Sequence, residues 1–117
     1  METRITLPLP PSVNTIYSVS RDGRWFKNKR GRDWEEEAGY LLLNCPKFKE
    51  QLITLTIYYY FPNIRSDLGN RTKILQDLLE KQGIINNDFQ VYEVHEYKNI
   101  DKKKPRVEIQ IKEFSEK

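Results

Sequence analysis

Residues 53–61, Ile-Thr-Leu-Thr-Ile-Tyr-Tyr-Tyr-Phe, constrain the fold of this chain more than any other stretch. Ile53, Leu55, Ile57, Tyr59 and Phe61 recur at every second position, with Thr54, Thr56, Tyr58 and Tyr60 between them. A period of two is the signature of a β-strand, whose successive side chains point to opposite faces. The aliphatic face needs a cover, so a sheet with helices packed on it is expected. Pro62 and Asn63 end the strand.

Other segments supply the remaining layers. Ile5, Leu7 and Leu9 alternate with polar residues and predict an N-terminal strand, stopped at Pro10-Pro11-Ser12. A loop to about Gly23 and a short strand over 24–27 follow. Asp33 with Glu36 three residues later resembles a capping box, which starts a helix with Trp34, Ala38 and Leu41 at helical spacing to about Asn44. A second helix is expected from about Leu68 to Gln82, with Gly83 as its stop. Strands over about 90–98 and 106–112 complete the order. This is an α+β fold: one domain over 1–117 with a mixed β-sheet and two main helices packed on it.

The chain has 117 residues, enough for one domain with a thin core. A single cysteine, Cys45, excludes an internal disulfide and fits a reducing compartment. No segment reads as a signal peptide, and no run nears the ~20 apolar residues that cross a bilayer. The expected location is cytoplasmic, with no membrane partner and no small-molecule cofactor. The net charge is only +3, but it is segregated. Arg21, Arg24, Lys27, Lys29, Arg30 and Arg32 are opposed only by Asp22, and Lys98, Lys102, Lys103, Lys104 and Arg106 only by Asp101. Such clusters suit phosphates as well as solvent.

Candidate chemistry lies in residues 65–73 and 83–91. At about 100° per residue, Leu68, Ile74, Leu75, Leu78 and Leu79 share one helix face, and Asn70, Lys73 and Asp77 the opposite stripe. A helix flanked by Asp67 and Asp88 can bring two carboxylates to one site. Ordinary roles compete: Ser66 or Asp67 as an N-cap, Asn87-Asp88 as turn residues, and Lys73 with Asp77 as an i,i+4 pair. Lone His95 and isolated Cys45 argue against zinc. Trp25, Phe26 and Tyr17 suit a core or dimer contact better than base stacking.

Several of these residues together resemble the RusA family of Holliday-junction resolvases. Asp67, Asn70 and Lys73 match its D-x-D-N-x-x-K helix pattern, and Asp77 a later acid. Asp88-Phe89-Gln90-Val91 matches the start of its next strand. Leu7-Pro8-Leu9-Pro10-Pro11-Ser12-Val13-Asn14, with Tyr17 behind it, resembles its opening, and Trp34 takes an aromatic place in the first helix. The resemblance implies a homodimer that cuts four-way junction DNA using Mg²⁺, with Mn²⁺ as a substitute. It implies Asp67 and Asp88 as metal ligands and Lys73 as a catalytic cation. Candidate DNA contacts are Arg65, Arg71, Lys73, Lys27, Lys29, Arg30 and Asn14.

The sequence departs from the family at two places. The second acid of the helix motif is expected at position 69, where Gly69 stands, and Asn87 replaces the first of an acidic pair. Three explanations follow: a junction-binding homodimer with weakened or lost cleavage, recruitment of Glu93, Asn86 or Asn87 as another ligand, or a variant of an active parent. A protein-interaction module with incidental basic loops is a reading from a different class.

Overall fold

Alternation over 53–61 produces the centre of the sheet. The computed structural model describes residues 2–12, 17–66, 68 and 71–116. Its strands are β1 (Glu2–Leu7), β2 (Tyr17–Val19), β3 (Trp25–Lys27), β4 (Ile53–Phe61), β5 (Val91–Ile100) and β6 (Arg106–Glu113). The helices are α1 (Lys29–Leu41) and α2 (Thr72–Lys81). Strand order in the main sheet is β1-β6-β4-β5, and β2 pairs with β3 in a separate ribbon. β4 is antiparallel to β6 and parallel to β5, so the sheet is mixed, as expected.

The five alternating residues of β4 are each 0% exposed. Complete burial of one such aliphatic side chain stabilises the fold by about 1.5–3 kcal/mol. They meet Ile74, Leu75, Leu78 and Leu79 of α2, Trp34 and Ala38 of α1, and Val107, Ile109 and Ile111 of β6 in one core. α2 joins two parallel neighbours, forming a β4–α2–β5 crossover. Gly83 adopts a φ of +74° just beyond α2, the left-handed conformation anticipated at a helix stop. No helix among the described residues is long and apolar enough to cross a membrane.

Several expectations need correction. α1 begins at Lys29, because Asn28 caps it by accepting a hydrogen bond from Gly31 N at 3.1 Å. Asp33 instead lies inside the helix and pairs with Lys29 at 2.8 Å. Leu42, not Leu41, enters the core: Leu42 is 2% exposed and Leu41 44%. The segment expected to be a loop up to Gly23 contains β2, held by Tyr17–Val19 pairing with Lys27–Trp25.

α2 begins at Thr72, with Arg71 in the capping position and no side-chain cap. Ser66 is therefore not its N-cap, and Asp67 lies outside the described residues. Trp25 and Phe26 are 72% and 46% exposed, so neither joins the core of this chain.

Candidate active site

α2 presents its apolar stripe to the sheet, which leaves Lys73 and Asp77 on the outer side, one turn apart. Lys73 Nζ lies 3.1 Å from Asp77 Oδ1. It also lies 3.0 Å from Asp88 Oδ2, fifteen residues further along the chain. Thus the structure brings together Lys73 and Asp88, two of the residues singled out from sequence. All three side chains remain substantially open to solvent. The hydrogen bond to Asp88, then that to Asp77, raises the Lys73 ammonium above its ordinary value.

Asp88 is held by a short 3-10 turn, Asp88–Gln90, whose rigidity comes from Gln90. That side chain is 3% exposed. Its Oε1 accepts from Asn86 N at 2.7 Å and Asn87 N at 2.8 Å. Its Nε2 donates to Lys49 O and Gln51 O. A buried amide with every group engaged is strongly placed. Asn87 and Gln90 form a reciprocal capping box, and the Asn87 side chain also accepts from Phe89 N. The Asn87-x-x-Gln90 spacing carried that signal in the sequence, yet Gln90 was assigned no role there.

Two suggested replacement ligands are engaged elsewhere. The Asn87 carbonyl oxygen caps its own turn. Glu93 pairs in register with Thr54 and accepts from Thr54 Oγ1 at 3.0 Å. Thr54 lies on the face of β4 opposite the core, so Glu93 is across the sheet from α2. Near the start of α2, the Tyr59 hydroxyl and Thr72 Oγ1 lie 2.9 Å apart and fix this helix end to β4.

Asp67, Gly69, Asn70 and Asn14 lie outside the described residues. Of the remaining candidate DNA contacts, Arg65 and Arg30 are exposed. Lys29 is paired with Asp33. Lys27 and Lys81 both hold Glu35, whose side chain is only 14% exposed. Burial pushes the Glu35 carboxyl up, but the two lysines outweigh it and hold it below its ordinary range. Arg71 donates from Nε to Pro10 O at 2.8 Å and lies 5.0 Å from the centre of the Phe61 ring.

Among the described residues, no three His, Cys, Asp or Glu side chains converge as a metal cluster. Asp88 and Asp77 nevertheless offer hard carboxylate oxygens at a half-open position. Such donors suit Mg²⁺, which keeps several waters and takes one or two carboxylates.

The model of the family described as "Endodeoxyribonuclease RusA" matches residues 8–112. The chain belongs to the RusA family. One RusA relative is the crossover junction endodeoxyribonuclease RusA of Aquifex aeolicus, 37% identical over 113 residues. The alignment covers 92% of this chain and 86% of that protein. The matched segment includes the N-terminal proline-rich opening, both helices and the turn carrying Asp88. The RusA likeness thus spans the whole framework around the Lys73–Asp88 contact.

Proposed function

We propose that this chain is a divalent-metal-dependent endonuclease that cuts four-way DNA junctions as a homodimer. The observation that carries this reading is the Lys73–Asp88 contact in a RusA-family chain. Asp67 and Asp88 are the proposed metal ligands, with Mg²⁺ as the ion and Mn²⁺ as a substitute. When bound, the ion would lower the pKa of a coordinated water and polarise the scissile phosphate.

The protein's own groups do the rest. Lys73, with its ammonium raised by two carboxylates, stays protonated at neutral pH. It therefore acts as a fixed cation against phosphorane charge, and not as a base. Gln90 positions Asp88 through the backbone of its turn. Arg65 and Arg30 meet flanking phosphates, a contribution that weakens as salt rises. Two-fold protein symmetry matches the approximate symmetry of a four-way junction, so one dimer can supply two nicks.

Gly69 favours a second reading, a junction-binding homodimer with little cleavage, because no carboxylate stands at that position. A synthetic four-way junction separates the two. Binding is measured without metal, then nicking with Mg²⁺ and with Mn²⁺. Binding with paired nicks supports the endonuclease, and binding alone supports the second reading. Failure to bind would overturn both.

A further inference from the structure

β5 forms one margin of the main sheet, and none of the described strands pairs with its outer side. It is ten residues long. Proteins ordinarily shorten, cover or charge such an edge, because its open N–H and C=O groups invite another strand. Here Tyr92, Val94, Tyr97 and Ile100 are 59%, 39%, 50% and 42% exposed. A register shift opposite Ile53/Thr54 leaves Tyr92 out of the β4 pairing, so regular pairing begins at Glu93.

We propose that the Glu93–Ile100 edge of β5 pairs antiparallel with the same edge of a second copy, about a two-fold axis at Tyr97. A two-fold axis perpendicular to the sheet opposes residues on the same face, so their numbers sum to an even value. Within the regular stretch only axes at Glu96 and Tyr97 give extended pairing. An axis at Glu96 would oppose two like carboxylates and set Val94 against Lys98. Moving the axis to Tyr97 opposes Glu96 with Lys98, Val94 with Ile100, and His95 with Asn99. Opposite charges and matched apolar groups on facing positions stabilise a strand pair.

Features of the single chain fit this register. Glu96 Oε1 is shielded from water and has no hydrogen-bond partner among the described residues. Burial raises that carboxyl. Lys98 Nζ donates to Ile64 O at 2.7 Å, which leaves two of its three protons for a carboxylate. On the far face, Tyr97 stacks on Tyr58 with centroids 5.1 Å apart. Tyr97 of the second copy would extend that pair into a row of four rings.

The inference rests on the homodimer reading, and its test distinguishes the two. In full-length protein carrying Cys45→Ser, Tyr97→Cys is compared with His95→Cys under mild oxidation. Sedimentation of the parent reports the oligomer, and circular dichroism checks each fold. Directly opposed strand positions lie within disulfide reach. The two positions 95 would be about 13 Å apart, so Tyr97→Cys should cross-link at least about tenfold faster. Lys98→Glu should raise the dimer Kd roughly a hundredfold by facing like charges. Adding Glu96→Lys should restore it. A sedimenting dimer in which Tyr97→Cys links no faster than His95→Cys overturns this edge but leaves the homodimer standing. A monomer at every concentration overturns both.

Discussion

The Lys73 ammonium lies 3.0 Å from Asp88 Oδ2, so one cation ties the first turn of α2 to the turn before β5. The same lysine reaches Asp77 at 3.1 Å, which makes it the bridge between two half-open carboxylates. Asp88→Asn keeps the shape of the turn but removes its charge. Junction cleavage should fall at least about a hundredfold. Affinity measured without metal should hold or increase, because a negative group near the phosphates has gone. Undiminished cleavage by Asp88→Asn would remove this carboxylate from the chemistry.

Gly69 supplies no side-chain oxygen where the family pattern has an acid. Gly69→Asp should therefore raise metal-dependent nicking by about tenfold or more, with little change in metal-free binding. Cleavage rates at several Mg²⁺ concentrations would show the gain largest where metal is scarce. A wild-type chain that cuts well and gains nothing from Gly69→Asp would refute the assignment of this position to the metal site.

Much of this arrangement was legible in the sequence, and the residues that escaped it share a physical cause. Period-two alternation identified β4 because all five aliphatic-face residues are buried by tertiary packing. The 3.6-residue stripe found the packed face of α2, from Ile74 to Leu79. Of the two ends that were misjudged, the one at Asn28 depends on which polar residue wins a local hydrogen bond, and the one at Thr72 has no side-chain cap to mark it. Periodicity does not report that competition. β2 was missed because three residues carry too little pattern, and its pairing with β3 is specified across a turn. The Lys73–Asp88 contact required the resemblance, since spacing alone left Asp88 as a turn residue. Gln90 escaped because a polar residue at a strand start usually faces water, whereas this one satisfies four backbone groups.

Gln90→Leu tests that support. The substitution strands Asn86 N and Asn87 N and leaves Lys49 O and Gln51 O without their donor. Stability to urea should fall by about 2–4 kcal/mol, the scale of several buried polar groups left unsatisfied. At a temperature where the variant is still folded, cleavage should fall further than binding, because Asp88 loses its placement. Unchanged stability would mean that the turn holds itself.

Cations of the basic segment 21–32 should separate by what already holds them. Arg30 is exposed, whereas Lys27 is spent on Glu35. Arg30→Ala should flatten the dependence of log Kd on log salt by about one phosphate's share. Lys27→Met should leave that slope nearly unchanged and lower stability instead. Equal slopes for wild type and Arg30→Ala would remove Arg30 from the interface.

Glu35 joins three elements, since Lys27 comes from β3 and Lys81 from the end of α2. Its carboxyl is held below the ordinary value of 4.5, so the folded state binds its proton more weakly than the unfolded chain does. The resulting stabilisation is fully present above 4.5 and is lost as pH falls through the lowered folded value. Glu35→Gln cannot titrate, and at neutral pH it should cost roughly 1–2 kcal/mol. Urea midpoints of the two proteins should differ by a constant amount from neutral pH to about pH 5. Below 4.5 the difference should shrink as the wild type protonates and loses its advantage. A gap that persists unchanged at pH 3 would show that the cost of Glu35→Gln comes from packing, and that the two lysines contribute through their aliphatic stems.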